Sequence, residues 1–136
     1  MITLKRSLTT ILIFYFFYGN CQTQKTINKL ESNHQICLDK SENMDECSRR
    51  YYFQMDSLLS AVYEKTEKKL NLIQKLKLKK DQENWLLKRK KFESKQNKIF
   101  QKKIKSQEWG NDMYIIVYQN DAEFIRERII RLLKLE

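Results

Sequence analysis

The residues that could do chemistry in this 136-residue chain are few and lie close together. The single histidine, His34, precedes two cysteines, Cys37 and Cys47. Zinc bound by these three side chains would lack a fourth protein ligand, and the wide cysteine spacing is not the CxxC of a redox-active pair. Neither a nucleophile–base pair nor paired carboxylates can be recognised, because the acidic residues are scattered among lysines. The sequence therefore predicts a protein that is not an enzyme and that has no metal or cofactor.

The first 21 residues are typical of a secretory signal peptide. Basic residues precede the apolar run Ile11–Tyr18, and Gly19 and Cys21 are small residues at −3 and −1 of a cleavage site before Gln22. The run is too short to cross a hydrocarbon core of ~30 Å as a helix. We therefore expect export to the periplasm or the medium, and a protein that is not integral to the membrane.

Cys21 leaves a second interpretation open, in which it is the lipid-modified first residue of an anchored lipoprotein. Lipoprotein signals usually have a small residue just before the cysteine and a leucine-like residue at −3. Asn20 and Tyr18 stand in those places here. Ordinary cleavage after Cys21 is therefore the preferred interpretation.

The chain is strongly basic, with 27 Lys and Arg residues against 17 Asp and Glu residues and a formal net charge of +10. Since export would separate it from the genome, nucleic acid is not an expected partner. Envelope polymers that carry phosphate or carboxylate groups match the charge better. The alternative is that the lysine-rich helix faces are only solvated.

Composition favours an all-α protein, because the chain has no proline and only two glycines, and 41% of its residues are hydrophobic. Residues 22–36 are polar and lack sustained periodicity, so we expect a flexible lead-in. Asp39 and Glu42 have the spacing of a capping box, which predicts a helix that starts near residue 40.

Apolar residues recur in steps of three and four along Met44–Ile73, and a second apolar stripe, bordered by lysines, runs along Trp85–Ile104. No strong stop separates them, and Leu76–Lys80 is the expected soft boundary. Residues 113–118 could form a strand alone, but no partner strand is evident, so we predict a helix. Helices with such stripes must pack on each other. We expect one domain, residues 37–134, folded as a small antiparallel bundle of about three helices.

Three short motifs share their order and spacing with a known family. They are Cys37-x9-Cys47, Asp56-x2-Leu59-x3-Tyr63 and Gln82-x2-Trp85-x3-Arg89. Together they resemble the N-terminal domain of LprI-type lysozyme inhibitors, which are exported bacterial helical proteins. Ser60 stands where the family usually has asparagine, and a second cysteine pair found in many members is absent here. The family's C-terminal Arg and Leu are matched by Arg128 and Leu132.

The resemblance implies a structural disulfide between Cys37 and Cys47, since thiols of an exported protein are expected to be oxidised. Closing this loop stabilises the fold by about 2.5–3 kcal/mol on the chain-entropy estimate. An antiparallel hairpin would bring Asp56 towards Arg89, and Tyr63 towards Trp85 or Gln82. These motif residues form either a recognition site or a clamp between helices, and the clamp is preferred because buried Trp and Tyr commonly satisfy polar partners.

The family name implies a lysozyme-type muramidase as a partner. Glu42, Asp45 and Glu46 form the one dense acidic group and are candidates for binding a cationic cleft. The alternative is that they only complement a helix N-terminus, and it is preferred. The sequence thus predicts an exported, non-catalytic binding module of the LprI-like kind, with genuine inhibition of a cell-wall lytic enzyme as the alternative.

Overall fold

The computed structural model describes residues 22–40, 43–106 and 113–135, which form four helices. Residues 22–39 form α1, and the others are α2 (Met44–Lys69), α3 (Leu72–Lys105) and α4 (Met113–Leu133). No strand occurs in the ranges just given. The all-α prediction is confirmed, as is the helix over residues 113–118. The predicted signal peptide, with Cys21, lies outside the described residues.

The number of helices is the first correction, because the predicted flexible lead-in is part of α1. Thr23, Ile27, Leu30 and His34 recur in steps of four, three and four, so they share one face of this helix. Ile27 is fully buried in the main core, and Leu30 packs against that core. With only two aliphatic residues on this face, the periodicity was too sparse to predict a helix from the sequence.

The start of α2 is the second correction. Asp39 lies in the last helical turn of α1, and Glu42 lies outside the described residues. Asn43 precedes α2 with left-handed backbone angles, φ 55° and ψ 51°, and makes no side-chain cap. Asn tolerates this conformation better than most residues do. Helix α2 therefore begins at Met44 rather than near residue 40, and the predicted capping box does not start it.

The boundary between α2 and α3 lies at Leu70 and Asn71, earlier than the predicted Leu76–Lys80, which is inside α3. Asn71 is a capping-box residue: its side chain accepts a hydrogen bond from the Gln74 backbone N–H at 3.0 Å. The Gln74 side chain in turn accepts one from the Asn71 N–H at 3.0 Å. This pair has the sequence signature of a helix start, but the predicted boundary lay further along the chain.

The core lies mainly between α2 and α4, with α1 and α3 packed against it. Its buried members are Ile27 from α1; Tyr51, Met55, Leu59 and Val62 from α2; Leu78 and Trp85 from α3; and Ala122, Ile125, Ile129 and Leu132 from α4. The 34-residue α3 thus contributes only two residues to this cluster. One long side of α3 is left at the surface.

Ring contacts show that α3 and α4 are antiparallel. Phe100 packs on Tyr114 near the start of α4, at 5.0 Å between ring centroids. Phe92 stacks on Phe124 further along, at 4.7 Å. Rising residue numbers in α4 thus meet falling numbers in α3, as predicted for an antiparallel bundle.

Candidate functional site

Arg89 is the centre of a polar cluster between α2 and α3. Its guanidinium donates to Asp56 Oδ1 at 2.6 Å, to the Tyr52 hydroxyl at 2.8 Å and to Glu93 Oε1 at 2.8 Å. Burial alone would lower the pKa of Arg89, but the hydrogen bonds to Asp56 and Glu93 outweigh it and raise that pKa. The predicted approach of Asp56 to Arg89 is therefore confirmed, and the guanidinium stays charged.

Trp85 lies beside this cluster and is almost completely buried, with 5% of its surface exposed. Its ring stacks on Phe124 of α4 at 5.7 Å between centroids. The guanidinium carbons of Arg89 and Arg128 lie 5.6 and 5.8 Å from the ring centroid, within cation–π range. An indole enclosed in this way cannot serve as a surface platform for a ligand, so its contacts favour the clamp.

Arg128 joins α4 to α3 through the residues just before Trp85. Two of its nitrogens donate to Gln82 Oε1, at 3.0 and 2.8 Å, and a third donates to Asp81 Oδ2 at 2.5 Å. Arg128 is 4% exposed, while the Asp81 side chain is mostly in solvent. Two neighbouring arginines thus connect α3 to the two core helices, which sets the position of α3 along them.

The remaining motif residues are also structural. Leu59 and Leu132 are buried in the core, and Tyr63 packs against the same cluster, which includes Trp85. Burial raises the pKa of the Tyr63 hydroxyl above its ordinary value. The motif residues therefore make contacts between helices, which favours the clamp over the recognition site.

Asp121 belongs to this region but was not singled out from the sequence. Its Oδ1 atom is buried and has no hydrogen-bond partner among the described residues. Burial, with a contribution from the nearby Glu93 carboxylate, raises the pKa of Asp121 to about 6. The available signal was its place between Tyr118 and Ile125, in steps of three and four along the inward side of α4.

The predicted disulfide between Cys37 and Cys47 is present, and it links the end of α1 to the start of α2. His34 stacks on Tyr51 beside it, with 4.4 Å between ring centroids, and its Nε2 lies 3.2 Å from Ser48 Oγ. Burial lowers the pKa of His34. Both motif cysteines and the single histidine thus help to join α1 to α2.

The acidic group is only partly described, since Glu42 falls outside the described residues. Asp45 and Glu46 lie exposed in the first turn of α2. Glu46 forms an ion pair with Arg49 at 2.5 Å, one turn further along the helix. This pairing reduces the negative potential that the group could offer to a cationic partner, and it suits the alternative role at a helix N-terminus.

The basic charge is concentrated on α3. This helix holds thirteen of the 27 Lys and Arg residues but only three of the 17 acidic residues, so it carries the whole formal net charge of +10. Its exposed lysines are Lys77, Lys79, Lys80, Lys88, Lys90, Lys91, Lys95, Lys98, Lys102 and Lys105. Several of them line a shallow groove of about 480 Å³ that runs from Leu87 to Lys98. We call Lys90, Lys91, Lys95 and Lys98 the lysine groove.

Two further properties concern the described part of the chain. None of its helices combines the length and the apolar character needed to cross a bilayer. In the same residues, no three His, Cys, Asp or Glu side chains come together in an arrangement that could hold a metal ion.

Comparison with known proteins finds no similar protein. A scan against models of protein families gives no match for this chain, and searches of curated proteins and of solved structures give none either. The resemblance to LprI-type inhibitors accordingly rests on the motifs alone.

Proposed function

We propose that this chain is an exported, non-catalytic binding module of the LprI-like kind, and that the lysine groove of α3 binds an anionic polymer of the cell envelope. The observation that carries this proposal is the charge distribution. All of the formal net charge of +10 lies on one helix, and most of its lysines are exposed. Charge of one sign gathered on one surface attracts polyanions over long range.

The shape of α3 supports a linear ligand. At a rise of about 1.5 Å per residue, its 34 residues extend over roughly 50 Å. Lysines recur along this length at the surface, so a repeating polyanion could contact several of them at once. The two clamp arginines are not available for this role, because Arg128 is buried, Arg89 is half-buried, and both are hydrogen-bonded to other side chains.

Removing the lysine groove is expected to weaken polymer binding by about tenfold or more. The test compares two variants in which four exposed lysines become glutamine, so that both lose the same charge. The groove variant changes Lys90, Lys91, Lys95 and Lys98. The control variant changes lysines outside α3, namely Lys25, Lys29, Lys68 and Lys134. Calorimetric titration with polyglycerol phosphate, repeated at several salt concentrations, measures the affinity and its salt dependence.

The salt dependence distinguishes contact from general attraction. Each lysine that contacts a phosphate should make the slope of log K against log salt steeper, because binding releases counterions. The groove variant should therefore show a shallower slope, while the control variant keeps the slope of the parent. An equal loss of affinity in the two variants would show that only the total charge matters. It would support the alternative in which the lysine-rich faces are only solvated.

Inhibition of a muramidase remains the second candidate because the motif resemblance implies it, but the described acidic residues give it little support. Basic lysozymes would be repelled by a cationic partner, and Glu46 is already paired with Arg49. We expect weak or no inhibition in a stoichiometric titration of enzyme activity. Nanomolar inhibition that is lost when Glu42, Asp45 and Glu46 are neutralised would overturn this expectation and replace the polymer proposal.

A further inference from the structure

Three large aliphatic side chains are exposed together where α2 passes into α3. Leu72, Ile73 and Leu76 are 74%, 67% and 62% exposed. Their spacing of one and three residues places them on one side of the first turns of α3. We call these three residues the aliphatic tip. These three residues do not belong to the core of the bundle, to which this part of α3 contributes Leu78.

Lysines surround the aliphatic tip. Lys68 lies in the last turn of α2, and Lys77, Lys79 and Lys80 follow the tip in α3. Lysine stems can lie along an apolar surface while the ammonium groups extend to negative groups beside it. Aliphatic side chains encircled by lysines are the combination that binds at the interface of anionic membranes.

The backbone at the tip is also suited to a poorly hydrated environment. The first N–H groups of a helix have no partner inside the helix, and leaving them unpaired in an apolar medium is costly. The reciprocal hydrogen bonds between Asn71 and Gln74 satisfy two of these groups. Neither hydrogen bond involves water. The turn can therefore approach the headgroup layer and keep both of them.

We propose that the aliphatic tip binds the surface of an anionic lipid bilayer. The three aliphatic side chains enter the boundary between headgroups and acyl chains, and the neighbouring lysines contact lipid phosphates. A second copy of the chain fits this surface poorly, because pairing two tips would bring two sets of lysines together. A purely polyanionic ligand would use the lysines but leave the aliphatic side chains in water.

This inference does not rest on polymer binding. Leu76 and Lys91 are separated by fifteen residues of helix, or roughly 22 Å. The aliphatic tip and the lysine groove can therefore be altered separately, and the failure of one proposal leaves the other standing.

The test measures co-sedimentation of the purified protein with vesicles of phosphatidylcholine mixed with phosphatidylglycerol, and with pure phosphatidylcholine vesicles. The tip variant carries Leu72→Ser, Ile73→Ser and Leu76→Ser. The matched control makes the same change at three other exposed aliphatic residues of α3. These are Leu86, Ile99 and Ile104. All proteins come from one host, so that they share the same N-terminus.

The parent should bind the anionic vesicles and sediment little with the neutral ones. Since burying one Leu or Ile side chain is worth about tenfold or more in a partition constant, the tip variant should lose about a hundredfold or more. The control variant should bind like the parent. Both should retain their unfolding midpoints, because the altered side chains are exposed, and the tip variant should bind polyglycerol phosphate normally.

Four results would overturn the proposal. Equal binding to neutral and anionic vesicles would remove the role of the lysines, and an unchanged tip variant would show attraction by charge alone. An equal loss of vesicle binding in the control variant would show that other exposed aliphatic residues of α3 contribute as much as the tip does. A change in oligomeric state of the tip variant without vesicles would instead assign the tip to contact between copies of this chain.

Discussion

Replacing Trp85 with alanine is expected to lower the free energy of unfolding by about 3–5 kcal/mol, the usual range for truncating a buried tryptophan. The indole is enclosed by Phe124 and by the guanidinium groups of Arg89 and Arg128. Its removal leaves a cavity where α3 meets α4, and α3 has few other residues in the core. The α3–α4 contact should therefore weaken most.

Urea unfolding followed by circular dichroism measures this loss, and Leu87→Ala is the matched control. Leu87 is two residues away in the same helix but 61% exposed, so its truncation should change the midpoint little. An unchanged midpoint for Trp85→Ala would show that the indole does not stabilise the bundle. The motif would then have to be reinterpreted as a recognition site.

Removing the partners of Arg128 is expected to cost about 3 kcal/mol or more, because a buried guanidinium would be left without its hydrogen bonds. The double variant Asp81→Ala, Gln82→Leu does this, because neither new side chain can accept a hydrogen bond. Replacing Arg128 itself with methionine should cost less, about 1–2 kcal/mol. This substitution leaves Asp81, which is largely exposed, and Gln82, which is half-buried, without Arg128. Both side chains can then form hydrogen bonds with water instead.

The decisive measurement adds Arg128→Met to the double variant. If the cost comes from the stranded charge, the triple variant should be more stable than the double variant. Asp45→Ala with Gln54→Leu is the matched control at exposed positions of α2 and should be nearly neutral. A triple variant less stable than the double variant would mean that the Arg128 charge is not the source of the loss.

Sequence by itself was sufficient for the features that depend on local spacing. The absence of proline predicted helices, and the step of three or four residues placed Gln82, Trp85 and Arg89 on one side of α3. The motif resemblance implied the Cys37–Cys47 disulfide, and the predicted antiparallel hairpin placed Asp56 near Arg89. Each depends on neighbours in the chain or on one antiparallel pairing, which short-range rules describe well.

Tertiary structure decided which faces are buried and what they touch. Residues 22–39 are helical because Ile27 packs into a core formed by residues far along the chain. The segment itself has few aliphatic residues, so its sequence does not indicate this packing. The ion pair of Glu31 with Arg126, 95 residues away, also joins α1 to α4. The burial of Asp121 and the exposure of Leu76 were likewise settled by the packing of other helices. Helical periodicity tells which residues share a face, but only the other helices determine whether that face meets protein or water.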